Sequence, residues 1–380
     1  MSAVRNVLFI MCDQLRRDFV SCYGASPVPT PNLDRLAATG VRFDNAYVQS
    51  GVCGPSRMSY YTGRYVSSHG ATWNRVPLSA AEPTLGDYLR EAGRGAALAG
   101  KTHVLPDTEA LARFGIEVES ERGALLREGG FRVIDRYDGH RPPGPESGYA
   151  AFLRARGYDS ADPWSDYVIG VDDGGRIASG WQLRNVHLPS RVAEPHSETA
   201  YMTDLALDWI RAQGEKPWVL HLSYVKPHWP YVAPAPFHAM FRAAAVGPML
   251  HGPQDGTADE HPVVRAYREH DECVSFAREA VARHVLGRGV RDCRAFMART
   301  AEWKYVHWEG FRPQLFDLSR DPREFDDLGA DPRHDAIRAR MRERLFDWLA
   351  TLKRRATVTD RDVEQRTDAH RADGIHIGIW

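Results

Sequence analysis

Cys53-Gly54-Pro55-Ser56-Arg57, followed by Thr62-Gly63-Arg64, is the stretch of this chain best equipped for chemistry. A cysteine with proline two positions on and arginine four positions on is the pattern in which an oxidising enzyme converts a thiol into an aldehyde. Hydrated, that aldehyde carries two hydroxyls and becomes a nucleophile. Gly54 and Pro55 bend the backbone and Ser56 is expected to cap the following helix. Cys53 would then stand at a helix mouth, where backbone N–H groups favour an anion. A buried thiol before an ordinary helix uses the same residues, so the neighbouring elements decide between the two.

Three units of the chain deliver polar groups to comparable places. Val4 to Met11 is an apolar run leading into Cys12, Asp13 and Gln14, and such a run suits a central parallel strand covered on both faces. Asp13 then falls at the carboxyl end of the first strand, where open α/β sheets bind their ligands. Thr30-Pro31-Asn32-Leu33 starts a helix with a cap and an N1 proline, Leu33, Leu36 and Ala37 mark its apolar face, and Gly40 closes it. In the second unit, Leu85 and Leu89 lie on a short helix closed by Gly93. Ala96 to Ala99 form a buried strand, and Lys101-Thr102-His103 sits at its end. Lys101 and His103, two apart in an extended segment, would face the same side. In the third unit, Met202, Leu205, Trp209 and Ile210 make a helical stripe ending at Gly214, Trp218 to Tyr224 is a strand, and the loop Lys226-Pro227-His228-Trp229-Pro230 follows. Asp13, Lys101 with His103, and His228 therefore converge on one rim. The chain holds only five lysines among its 49 basic residues, which singles out Lys101 directly after an apolar strand. His69 before Gly70 reads as a turn residue and His221, inside a strand, as a satisfied core histidine.

These motifs resemble those of the sulfatases of the alkaline phosphatase superfamily, within them the branch of phosphonate monoester hydrolases and related aryl sulfatases. The likeness rests on Asp13-Gln14, Thr30-Pro31-Asn32-Leu33-Asp34-Arg35-Leu36, Cys53-Gly54-Pro55-Ser56-Arg57, Gly100-Lys101-Thr102-His103 and Lys226-Pro227-His228. The single aspartate after the first strand is similar to the phosphonate hydrolase branch. The resemblance implies an alkaline-phosphatase-like α/β fold: a mostly parallel central sheet flanked by helices, then a small C-terminal antiparallel sheet and helix. It further implies that Cys53 becomes formylglycine and, with Asp13, binds a divalent metal (Ca²⁺, Mn²⁺ or Mg²⁺). Arg57 would hold the hydrate, Lys101 and His103 would bind ester oxygens and the second hydroxyl, and His228 would give a proton to the leaving alcohol. Gln14 and Asn74 would face the substrate beside Lys101 and His228. The implied reaction is hydrolysis of a sulfuric, phosphonic or phosphoric ester, and the implied partners are the small ester itself and a formylglycine-generating system.

The chain departs from that family at one point. Sulfatases take a second pair of metal ligands from a later apolar strand ending in Asp-His-Gly, and no such run occurs between His228 and the C-terminal module. Residues 230–289 hold one expected helix, Pro262 to Leu286, and the charged run Ala266 to Glu272 reads as its solvated face. Asp13 and the modified Cys53 supply few oxygens for a hard cation that takes six or more. Two functions from different classes follow: a sulfatase-type hydrolase, impaired by loss of half its metal site, or a non-catalytic relative that binds anions or other proteins.

Toward the end of the chain, Arg294 to Ala298 and Trp303 to His307 read as a hairpin and Gln314 to Leu318 as a third strand. Ile337, Met341, Leu345, Trp348, Leu349 and Leu352 form the stripe of a long helix. The expected division is a catalytic domain over 1–287, a C-terminal subdomain over 288–355 and a tail over 356–380. A net charge of −1 argues against nucleic acid or a membrane surface as partner. Five cysteines without pairing or ligand spacing, and a first apolar run too short for a signal peptide, are consistent with a cytoplasmic protein. A sheet edge exposed by the absent strand would invite homo-oligomers.

Overall fold

The structure is a computed structural model. It describes residues 4–241, 256–269 and 294–352 apart from 25, 140, 141 and 145, together with the single positions 253, 287, 361 and 365. The chain divides into two compact units, Met1–Gly247 with Arg355–Trp380, and Pro248–Arg354. The boundary expected at 287/288 and the tail expected from 356 fall largely outside the described residues.

The first unit is built on β1 (Val7–Cys12), β2 (Ala96–Gly100), β3 (Arg132–Arg136) and β6 (Val219–Tyr224), which form one parallel sheet in the order β1-β6-β2-β3. A separate hairpin joins β4 (Gly170–Asp173) and β5 (Arg176–Ser179). Strand alternation sorts the core into two layers. On one face Ala97, Ala99, Leu220 and Leu222 pack with Trp164, Tyr149, and Met202 and Ala206 of the helix Glu198–Gln213. On the other, Ala96, Leu98 and Val219 pack with Phe131 and with Met58 and Tyr61 of the helix α2 (Cys53–Thr62). The small residues of β2 bring it close to β6. Gly100 has φ +107°, and a Cβ there would lie 2.0 Å from the Ser223 carbonyl oxygen, so only glycine passes.

β1 departs from expectation. It lies at the sheet edge, where β6 is its only strand partner among the described residues, and Leu8 and Ile10 are 45% and 50% exposed. The helix α1 (Pro31–Thr39) likewise buries none of its residues, its stripe residues Leu33 and Leu36 facing outward. An apolar run records that a strand is suited to cover, not that a described segment supplies it. Among the described residues no strand pairs with the outer rim of β1.

In the second unit β7 (Ala295–Arg299), β8 (Trp303–Trp308) and β9 (Gln314–Asp317) form an antiparallel sheet. The helix Asp335–Ala350 packs Met341 and Leu345 against Tyr305 and Leu315. The helix expected over 262–286 is described as Pro262–Glu269, and the remainder lies outside the described residues. Its charged run is not uniformly solvated: Ala266 is buried, while exposed Arg268 pairs with Glu260 at 2.8 Å. Among the described residues no helix is long and apolar enough to cross a membrane.

Candidate active site

Because β1, β6 and β2 run parallel, the residues that follow them emerge at one rim. Asp13 continues the β1 ladder, its N–H donating to the Tyr224 carbonyl at 3.1 Å, and Lys101 donates its N–H to the Ser223 carbonyl at 3.3 Å. Both are buried, at 8% and 0% exposure. Lys101 Nζ donates to Asp13 Oδ2 at 2.6 Å, and Arg57 Nη2 lies 3.6 Å from the same oxygen. Burial opposes the Asp13 charge, but the Lys101 and Arg57 cations outweigh it and hold the carboxyl below its ordinary range.

Cys53 is the first residue of α2, so it does stand at a helix mouth. Ser56 lies inside the first turn and is not the cap: the N-cap is Val52, without a side-chain cap bond, because the helix starts earlier than expected. Asn74 takes over the local polar work. Its Oδ1 accepts from Gly54 N–H at 2.9 Å, and its Nδ2 lies 3.5 Å from Cys53 Sγ. A Cβ at position 54 would meet that Oδ1 at 2.6 Å, which explains the glycine after the cysteine. Asn74, expected to face substrate, is therefore engaged with the cysteine turn. Arg57, one turn beyond Cys53, is 2% exposed and donates through Nη1 to the Lys101 carbonyl at 2.7 Å and to Ser223 Oγ at 2.8 Å.

His103 is not in the extended backbone expected of it. β2 ends at Gly100, and His103 adopts the left-handed φ of 58°; Gln14 does the same at 62°. Each such conformation costs on the order of 1 kcal/mol for a residue with a Cβ, a strain typical of functional sites. Burial and the Lys101 cation push His103 down to about 4. Gln14 is exposed and donates from Nε2 to Tyr231 Oη at 3.2 Å. His228 is half-buried in the loop after β6, and the charges of Asp13 and Lys101 both reach it. The loop is tied back by Lys226, whose Nζ donates to the Pro230 carbonyl at 2.7 Å and lies 3.6 Å from the buried Glu198 carboxylate.

Ser223 and the anchoring of α2 were not anticipated from sequence, yet a signal existed. His221 and Ser223 interrupt the apolar run of β6 at alternate positions, so both face α2. His221 is a core residue: Nε2 pairs with Tyr61 Oη at 3.0 Å, Nδ1 with the Phe9 carbonyl at 3.1 Å, and its ring stacks on Phe9 at 4.5 Å. His69 is likewise buried, 3.0 Å from Ser59 Oγ. Burial pushes His221 down from 6.5 to about 4. The folded protein therefore keeps it neutral where the unfolded chain would protonate it. The resulting stability is present above pH 6.5 and is lost as pH falls toward 4, on the order of 3 kcal/mol from this group. Denaturant melts across that window are expected to show the loss, and His221→Gln should flatten it. An unchanged slope in the variant contradicts the assignment.

The donors present do not match the divalent ion that the resemblance implies. Among the described residues no three His, Cys, Asp or Glu side chains gather as a ligand set. Asp13, the one carboxylate expected to bind the ion, already has an ammonium group 2.6 Å from its Oδ2. Hard cations take six or more oxygens, so the described Asp13 and Cys53 do not fit a divalent ion.

Residues 5–117 match the family model described as Sulfatase. The chain is 34% identical over 283 residues to the multifunctional alkaline phosphatase superfamily protein PehA of Trinickia caryophylli, covering 72% of this chain and 51% of that protein. It is 26% identical over 266 residues to the arylsulfatase of Clostridium perfringens, covering 67% and 50%. The chain thus spans about half the length of these curated relatives. In fold it is similar to the phosphonate monoester hydrolase of Silicibacter pomeroyi, with a TM-score of 0.76 at 20% identity over 93% of this chain and 96% of that one. The phosphonate monoester hydrolase of Agrobacterium radiobacter gives 0.69 at 20% identity over 91% and 96%. Residues 5–117 of this chain carry a Sulfatase-family domain, its fold is alkaline-phosphatase-like α/β, shared with phosphonate monoester hydrolases, and its relatives include sulfatases and a multifunctional protein of the alkaline phosphatase superfamily.

Proposed function

We propose that the chain is a hydrolase of sulfate or phosphonate esters whose nucleophile is a formylglycine made from Cys53. The observation that carries this reading is that Cys53 opens α2 and Arg57, one turn on, donates to the Lys101 carbonyl at 2.7 Å, with Lys101 Nζ donating to Asp13 at 2.6 Å. One hydroxyl of the aldehyde hydrate attacks sulfur or phosphorus, and the bond to the ester oxygen breaks. The alcohol leaves with a proton from His228. The second hydroxyl would then give its proton to His103, the C–O bond to the transferred group breaks as the carbonyl re-forms, the oxyanion is expelled, and water adds to the carbonyl to restore the hydrate. Arg57 and Lys101 would offset negative charge that grows on the transferred group, and His103 is the proton acceptor that this reading gives the second hydroxyl. The substrate ester and a formylglycine-generating system are its partners in this reading.

This reading gives His228 the proton transfer to the leaving alcohol. Its Nδ1–H donates to the Trp229 carbonyl at 2.6 Å, which assigns the exchangeable proton to Nε2. Burial lowers its pKa below the ordinary histidine range, against the opposing Trp229 bond and Asp13 charge. An acid must be protonated, so kcat/KM is expected to fall as pH rises through that lowered value. His228→Asn should remove this limb and lower kcat by roughly 10²- to 10⁴-fold, most for poor leaving groups. Rate profiles with good and poor leaving groups check this, and an unaltered profile in the variant defeats the role.

A further inference from the structure

Asp13 is the carboxylate that both buried site cations reach: Lys101 Nζ at 2.6 Å and Arg57 Nη2 at 3.6 Å share its Oδ2. Among the described residues these two cations face this one carboxylate, and all three side chains are buried, at 8% exposure or less. Arg57 Nη2, on a side chain 3% exposed, makes no hydrogen bond among the described residues, although Nη1 is fully used. An unsatisfied buried guanidinium N–H is costly, and a tetrahedral oxyanion is a strong acceptor for it.

We propose that this pocket binds a sulfate or phosphonate group without a divalent ion, and that Asp13 is an internal anion competing with the ligand for Lys101 and Arg57. The ligand class rests on the hydrolase reading; the independence from metal rests on Asp13 meeting an ammonium group where a ligand role would need it to face a cation from solution. In a metal-dependent pocket Asp13 helps the anion by holding the bridging ion. In this pocket it opposes the anion directly, so its removal has the opposite sign.

The test is calorimetric titration of the full chain, with Cys53 still a thiol, using inorganic sulfate, inorganic phosphate and phenyl sulfate, in chelator and again with Ca²⁺, Mn²⁺ or Mg²⁺. Binding is expected in chelator with a Kd that metal leaves unchanged. Asp13→Asn should tighten sulfate binding by roughly tenfold, and Lys101→Met should weaken it by at least about that factor. Phenyl sulfate binding with the free anions failing would place the recognition in the ester and still meet the expectation. Binding only when a divalent ion is added, no binding of any of the three, or a folded Asp13→Asn variant that binds more weakly overturns the proposal. Should that variant not fold, thermal shifts of the unaltered protein decide: sulfate in chelator should raise Tm and metal alone should not, and the reverse pattern overturns it. Hydrolysis is not read in these titrations. Failure of anion binding with Cys53-dependent turnover intact sinks this inference alone, whereas intact binding without turnover sinks the hydrolase reading alone.

Discussion

Replacing Cys53 by alanine is expected to lower kcat for sulfate or phosphonate ester hydrolysis by on the order of 10⁴-fold or more, the scale seen when a covalent nucleophile is removed. The fold should survive the change. Cys53 is only half-buried, and its sulfur makes weak contacts with Asn74 at 3.5 and 3.7 Å. The strong bonds of the turn, from Gly54 N–H to Asn74 and from Arg57 to Lys101 and Ser223, do not involve the thiol. Cys53→Ser is the sharper comparison. A serine hydroxyl can attack once, but it has no second hydroxyl to expel the transferred group, so a burst followed by stalled turnover is expected. Steady turnover by the serine variant at the rate of the parent would contradict the elimination step.

Arg57→Met carries the largest expected cost in stability. The methionine keeps the stem's packing beside α2 and removes the guanidinium. Its loss strands three partners at once: the Lys101 carbonyl, Ser223 Oγ and part of the Asp13 charge. Breaking a buried ionic network by deleting one member costs about 3–5 kcal/mol. For a unit of this size that is roughly a 10 °C fall in Tm, read by thermal or urea melts. A loss below about 1 kcal/mol would mean that the network behaves like an exposed pair. The arginine locks α2 to the ends of β2 and β6, and it brings positive charge to the helix that Cys53 opens.

The rim itself was legible in the sequence because it follows from alternation and strand ends. Asp13, Lys101 and His228 each follow an apolar run, and parallel pairing of β1, β6 and β2 brings their positions together. Cys53 at the start of a helix and the antiparallel sheet of the second unit were legible for the same local reasons. What could not be read were the tertiary contacts. The apolar run of β1 predicts a covered strand, and the described residues leave it at an edge. Lys101 and His103 share a side only in extended backbone, and the left-handed turn at His103 breaks that geometry. The pairing of Asp13 with Lys101 joins residues 88 positions apart, and no periodicity encodes it. The resemblance points Asn74 at substrate, but its bond to Gly54 N–H depends on a close approach that only a glycine permits.

The most direct test of the Cys53 chemistry is mass spectrometry of the peptide spanning Gly51 to Arg57, from protein made together with a formylglycine-generating system. The expected result is an aldehyde in place of the thiol, trapped by a hydrazide reagent, in proportion to ester turnover across preparations. Protein that turns over esters while every copy of Cys53 remains a thiol would contradict the account.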